Sequence, residues 1–207
     1  MNNKIMKPFL LAMLLVALTR PSLAQQAGSG YTLGDIVASF ALTNVDNRTI
    51  SLAEYKNQRG VIVVFTSNHC PFSKAYEDRI IALDRKFGPQ GFPVIALLSS
   101  DATLYEEDSF DRMQARARQK NYTFPYLLDD SQAVAKAFGA TRTPQVYVLK
   151  RAGERFTVEY IGSIDDSPQD AANAQRTYVD DAVTSLLMGK PIVTPLTKAI
   201  GCAIKLK

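Results

Sequence analysis

Residues 65–79 read FTSNHCPFSKAYEDR and hold the chain's single histidine, His69, beside Cys70, one of only two cysteines. A continuous β-branched run, VIVVF at 61–65, ends just before them, and Pro71 opens the segment that follows. Cys70 is therefore expected where a buried strand gives way to a helix. Unpaired backbone N–H groups and the positive helix end favour a thiolate there. Cysteines in such places have pKa values of about 3.5–7.5, against about 8.5 for a free thiol. The thiolate is the nucleophile, so Cys70 is a candidate for attack on a disulfide or a peroxide. A buried structural cysteine, or half of a static disulfide, fits the same position.

Cys202, five residues from the C-terminus, is either its structural partner or a second redox group; spacing alone leaves both open. One histidine and two distant cysteines make a poor start for a metal site, which wants three or four ligands. A second candidate feature is Thr143-Pro144, placed directly before an apolar run (QVYVL). The pair fits a cis peptide or a proline that simply starts a strand.

The elements that must position these residues follow from periodicity. SFALTNVDNRTISLAEY alternates around VDNRT and predicts a hairpin. From Pro71 to Phe87 the apolar residues Phe72, Tyr76, Ile80, Leu83 and Phe87 recur every three or four positions, which predicts an amphipathic helix stopped by Gly88-Pro89. PVIALL at 93–98 is a second buried strand, so 61–98 form a βαβ unit with parallel strands. A charged helix follows within 101–122, then a short strand in FPYLLDD. Ser131 is the expected cap and Gly139 the end of a short helix in SQAVAKAFG. PQVYVLK and FTVEYIG flank RAGER as a hairpin, and 167–190 is a last amphipathic helix. The tail from 191 shows no period and is expected to lie over the surface. The order describes an α/β domain with a central mixed sheet flanked by helices and an N-terminal β-hairpin.

The first 24 residues stand apart. Lys4 and Lys7 precede the apolar run PFLLAMLLVAL, and SLA at 22–24 offers small residues for cleavage, as in a secretory signal peptide. The expected organisation is 1–24 signal, 25–31 flexible leader, 32–190 one domain and 191–207 tail. Of 24 basic and 20 acidic residues the signal removes Lys4, Lys7 and Arg20 and no acid, leaving 21 against 20. So balanced a mature chain does not point to nucleic acid or an anionic membrane as partner.

The stretches TSNHCPFSKAYEDRI, EDSFDRM, FPYLLDDSQAVAKAFGATRTPQVYVL and TKAIGCAIK together resemble a peroxiredoxin-like redoxin family of thioredoxin-fold proteins, related to the alkyl hydroperoxide reductase and thiol-specific antioxidant group. The resemblance spans about residues 32–190 and implies a thioredoxin-like fold. Cys70 matches the reactive cysteine. Ser73 stands where a Cys-x-x-Cys motif has its second cysteine, which rules out a local dithiol. Ser67 matches the Thr/Ser of a peroxidatic Thr-x-x-Cys pattern, whose hydroxyl can hydrogen-bond a thiolate and a peroxide oxygen. Val63 stands where peroxiredoxins carry proline. Pro144 matches the cis-proline, with Thr143 before it as substrate-binding backbone, and Arg142 is a candidate cation beside the thiolate. Cys202 is the candidate resolving cysteine, on a mobile tail. His69 is expected to leave the backbone away from the chemistry.

The resemblance implies a cofactor-free, thiol-dependent oxidoreductase with no metal, and the signal segment adds the expectation of export to a bacterial periplasm with no stable membrane insertion after its removal. Its partners would be a peroxide or a protein disulfide, and an external thiol reductant such as a thioredoxin-like protein. Reduction of peroxides is the leading chemistry. Thiol-disulfide exchange of the thioredoxin type, or a non-enzymatic thioredoxin-fold binding module, are the alternatives.

Overall fold

The computed structural model describes Met1 and residues 30–207, so the expected signal segment and nearly all of the leader lie outside the described residues. The chain forms β1 (Ile36–Val37), β2 (Ala41–Asn44), β3 (Thr49–Ser51), β4 (Gly60–Thr66), α1 (Pro71–Phe87), β5 (Val94–Leu98), α2 (Phe110–Lys120), β6 (Tyr126–Leu128) and α3 (Ala133–Phe138). Then come β7 (Arg142–Thr143), β8 (Gln145–Ala152), β9 (Arg155–Gly162), α4 (Tyr178–Leu187) and β10 (Cys202–Ala203).

Eight strands make one mixed sheet in the order β1-β9-β8-β4-β5-β6-β2-β3. β4, β5 and β6 are parallel and carry the predicted βαβ unit. β8 and β9 are antiparallel beside them. The VDNRT hairpin closes the far edge through β2 and β6. Its turn places Asn47 at positive φ, and Asp46 accepts the backbone N–H and guanidinium of Arg48, which lowers the Asp46 carboxyl to about 2.

The VIVVF run is continuous because both its faces are covered. Ile62 and Val64 pack with Tyr76 and Ile80 of α1, Met113 of α2 and Val183 of α4. Val61, Val63 and Phe65 pack on the other face with Val134 and Phe138 of α3, Tyr147 and Val158. Each such buried side chain stabilises the fold by ~1.5–3 kcal/mol relative to exposure. The two faces together hold β4 rigidly, and β4 delivers the loop that carries Cys70.

Four local expectations change. Tyr31, last residue of the expected leader, is buried and lies edge-on to Phe138 at 5.0 Å, so the folded body includes it. Ser131 is not the N-cap residue of α3: the left-handed Gln132 holds that position, the Ser131 hydroxyl accepts only the Ala133 N–H at 3.3 Å, and the buried Asp129 carboxylate accepts N–H bonds from Val134 and Ala135 at 3.3 and 2.9 Å. The last helix starts only at Tyr178. Upstream of it the Asp166 and Asp170 carboxylates take backbone N–H groups of Gln175, Arg176 and Ala172, and such side-chain bonds compete with helix formation.

The fourth change is the tail. It is not a loose surface segment: Leu196 bridges Ile161, and Thr197 Oγ1 bonds the Tyr160 hydroxyl at 2.6 Å. β10 pairs antiparallel with β7, and Ile204 is buried. Gln132 donates to the Lys205 carbonyl and accepts from the Lys207 N–H.

Candidate active site

Cys70 is the N-cap residue of α1 and is wholly buried, with Pro71 in the first turn. Its side chain does not cap the helix, so the orphan N–H groups of the first turn remain directed at the sulfur's end of the helix. Its Sγ lies 3.2 Å from the Thr143 carbonyl oxygen and is disulfide-bonded to Cys202, with Cα atoms 5.9 Å apart. The bond spans 132 positions of sequence.

Backbone pairing sets that approach. Cys202 lies opposite Thr143 and Ala203 opposite Arg142 in the β7–β10 ladder, and the Ile204 N–H donates to the Thr141 carbonyl at 3.0 Å. Gly201 is required here: a Cβ would overlap the Thr143 carbonyl. Gln145 shapes β7 from the other side, its side-chain carbonyl accepting the N–H groups of Thr141 and Arg142. The Thr143-Pro144 peptide is cis, the first of the two alternatives for that pair.

The Ser67 and Thr143 hydroxyls are 3.2 Å apart, and both residues are buried next to the sulfur-bearing loop. Ser73 is buried too, and its hydroxyl has no hydrogen-bond partner. Arg142 is not brought to this cluster. Successive strand residues point to opposite faces; Thr143 faces inward, while Arg142 is exposed and its guanidinium donates to the Gly201 carbonyl at 3.4 Å.

A clamp that the sequence reading missed holds the loop before Cys70. The wholly buried Asp108 accepts the backbone N–H groups of Asn68 and His69 at 2.7 and 3.1 Å. Its other oxygen is 2.5 Å from His69 Nδ1. The His69 ring stacks flat on Tyr105 at 3.7 Å, and Lys205 of the tail lies over the same tyrosine at 5.5 Å. Asn68 donates to the Glu107 carbonyl and accepts from the Tyr126 hydroxyl. His69 is thus tied to structure beside the sulfur. Asp108 sits in EDSFDRM, a motif quoted for the resemblance, but nothing in its local pattern marks a buried carboxylate.

A reactive-type cysteine at the strand-to-helix junction, a Thr-cis-Pro beside it and this sheet order define a thioredoxin-fold redoxin. The AhpC/TSA family model matches residues 33–160, more than half of the chain. The chain belongs to the AhpC/TSA family. An uncharacterized conserved protein from Geobacillus kaustophilus is 36% identical with a TM-score of 0.79, over 85% of this chain and 93% of that one. A hypothetical protein from Sinorhizobium meliloti is 34% identical, also at 0.79, over 86% and 97%. A thioredoxin-family thiol:disulfide interchange protein from Chlorobium tepidum, 16% identical with a TM-score of 0.57 over 76% and 99%, shares the fold. Among curated proteins, Probable glutathione peroxidase 8-B of Xenopus laevis is 30% identical over 89 residues. That match spans 42% of this chain and 42% of the relative, less than half the length of either.

Proposed function

We propose that the protein is an exported thiol peroxidase working through a Cys70–Cys202 redox couple. The observation that carries this is the pairing of a cysteine at the N-cap position of α1 with a cysteine on a strand of only two residues. In the reduced protein the Cys70 thiolate attacks one peroxide oxygen. The O–O bond breaks, a sulfenic acid forms on Cys70, and the leaving oxygen takes a proton. Ser67 Oγ, held by Thr143, is the donor at hand for the attacked oxygen. The Cys202 thiol then attacks the sulfenic sulfur, water leaves, and the disulfide forms.

The disulfide state seals Cys70 from solvent, while Cys202 stays partly accessible. An external thiolate therefore attacks Cys202 and expels Cys70, whose place at the helix N-terminus makes it the better leaving group. Release of β10 and Ile204 from Thr141–Thr143 opens the site for the next peroxide. Export rests on the N-terminal sequence, residues 1–24; among the described residues no helix is long and apolar enough to cross a membrane.

The test is titration of the fully reduced protein with hydrogen peroxide, followed by peptide mapping. A Cys70–Cys202 linkage forming with one equivalent supports the reading. Cys70 accumulating as sulfenic or sulfinic acid while Cys202 stays a thiol overturns the resolving role. A second reading, thiol-disulfide exchange with a protein, is favoured by one observation: the Cys202 backbone occupies the edge of Thr143 as an extended peptide would. Rapid disulfide transfer to a protein substrate, with peroxide consumed no faster than by free cysteine, would select it.

A further inference from the structure

Among the described residues two buried side-chain polar atoms have no hydrogen-bond partner, Ser73 Oγ and Arg79 Nε. The Arg79 guanidinium is otherwise well held, its Nη1 donating to Asp165 and to the Ser167 carbonyl, each at 2.7 Å. Ser73 has nothing else: the hydroxyl is its whole polar side chain, and the residue is 0% exposed. A buried hydroxyl left unpaired is costly. The usual escape for a helical serine, a bond to the carbonyl three or four residues back, is not taken. The Cys70 carbonyl accepts the Lys74 N–H at 3.0 Å and nothing from Ser73.

The orphan hydroxyl lies beside the reactive sulfur's end of α1. Cys70 is the N-cap residue of that helix and Ser73 its third helical residue. Side chains at these two positions turn toward each other, as in a capping box. A Cys-x-x-Cys motif closes a disulfide across the same two positions, which shows that they can touch. In the disulfide the Cys70 sulfur is bonded to Cys202 and is a weak acceptor. In the reduced protein it is a thiolate that needs donors. The Thr143 carbonyl, 3.2 Å from the sulfur, offers no proton. Ser67 shares its hydroxyl with Thr143, Asp108 and His69 hold each other, Arg142 turns to the Gly201 carbonyl, and Lys74 is exposed. Glu77, one turn further along α1, is paired with Arg116.

We infer that the Ser73 hydroxyl donates a hydrogen bond to the Cys70 thiolate in the reduced protein and loses that partner when the disulfide forms. This rests on the Cys70–Cys202 redox couple proposed above and makes Ser73 the residue that biases the couple toward its reduced form. When a dithiol opens the bond, the S–S bond breaks, two electrons enter the pair, and the dithiol closes to its own disulfide. Of the dithiol's two protons one goes to Cys202 and one to solvent, so Cys70 is left as a thiolate. Ser73 stabilises only that product. Ser67 then serves the peroxide oxygen and Ser73 the sulfur.

The test compares Ser73→Ala with the unsubstituted residue in two measurements. In the Cys202→Ser protein, Ser73→Ala should raise the pH midpoint of Cys70 alkylation by iodoacetamide by about one pH unit, since a hydrogen bond to a charged acceptor is worth about tenfold. With Cys202 intact, the equilibrium with dithiothreitol at about pH 8 should move about tenfold toward the disulfide, which is about 30 mV for two electrons. Reach is tested separately: in the protein carrying Ser73→Cys and Cys202→Ser, diamide should link Cys70 to the introduced thiol. An unchanged alkylation midpoint overturns the inference even if the urea midpoint moves, because packing alone alters stability and leaves the thiol's acidity as it was. Failure of diamide to form the link overturns the reach on which the hydrogen bond depends. Both of these arms lack Cys202 and are read apart from the redox couple. A wild-type Cys70–Cys202 bond that dithiothreitol cannot open reversibly strikes at the couple instead.

Discussion

The main chain of Cys202 pairs antiparallel with that of Thr143, and this pairing brings the sulfur of a tail residue onto Cys70 at the start of α1. The ladder is only two residues long. Much of the rest of the contact is the disulfide itself, the buried Ile204 and the side chain of Gln132. A short ladder reinforced by a covalent bond should hold firmly when oxidised and weakly when reduced.

Reduction is therefore expected to release the tail. Under limited trypsin digestion, cleavage after Lys198 should be much faster in the reduced protein than in the oxidised one. Stability should fall as well: for a loop closed across 132 positions the chain-entropy model gives roughly 5 kcal/mol. Urea unfolding with and without dithiothreitol measures it. Identical digestion patterns in the two states would show that the tail stays docked without the bond.

In the Cys202→Ser protein, Cys70 should be alkylated by iodoacetamide with a pH midpoint well below the ~8.5 of a free cysteine, because the thiolate lies at the N-terminus of α1. A rate that climbs only near pH 8.5 would remove the electrostatic argument for Cys70 as nucleophile.

Ser67→Ala is expected to slow peroxide reduction about tenfold, the worth of one hydrogen bond of ~1.4 kcal/mol. Arg142→Ala should leave the chemical step unchanged, since that guanidinium points to the Gly201 carbonyl and solvent. Stopped-flow peroxide kinetics on the two variants separates them. A large loss with Arg142→Ala and none with Ser67→Ala would reverse these roles.

Asp108→Ala removes a buried acceptor of two backbone N–H groups and the partner of His69. Leaving those donors unpaired should cost about 2–4 kcal/mol. Asp108→Asn keeps one acceptor and should cost less. Urea midpoints for both, read with the alkylation rate of Cys70, test whether the clamp also sets the thiol's environment. An Asp108→Ala protein as stable as wild type would mean that the loop holds without the clamp.

Alkaline pH should unfold the protein through its tyrosines. Burial raises Tyr76, Tyr122, Tyr126, Tyr147 and Tyr160 above the ordinary value, and Tyr55 to about 12. In the unfolded chain they ionise near pH ~10. A raised folded value means that the native state keeps the proton longer, so this stability is full below pH ~10 and is lost as pH climbs through the folded values. Tyrosinate absorbance at 295 nm should then rise together with loss of the far-ultraviolet circular dichroism signal. A full rise near pH 10 with the fold intact would contradict the burial of these rings.

The sequence by itself determined the βαβ unit, the hairpins, α1 and the position of Cys70, because these depend on periodicity and on local steric rules. VIVVF is apolar at every position, and a strand covered on both faces needs that; Pro71 and the three-to-four spacing after it suffice for the helix. The alternatives it left open at Thr143-Pro144 and at the two cysteines depend on distant parts of the chain. So do its misreadings. The tail from 191 has no period because its order comes from partners more than thirty residues away: Ile161 for Leu196, Thr143 for Cys202, Gln132 for Lys205. Arg142 and Thr143 are neighbours in sequence, yet only the β7 ladder decides that the threonine faces the sulfur and the arginine faces water. Asp108 and His69 lie thirty-nine positions apart, and a carboxylate on a charged segment is locally indistinguishable from a solvated one. Packing of that segment against the loop before α1 turns it into a buried clamp, since a carboxylate taken out of water must find donors and the loop's unpaired N–H groups supply them.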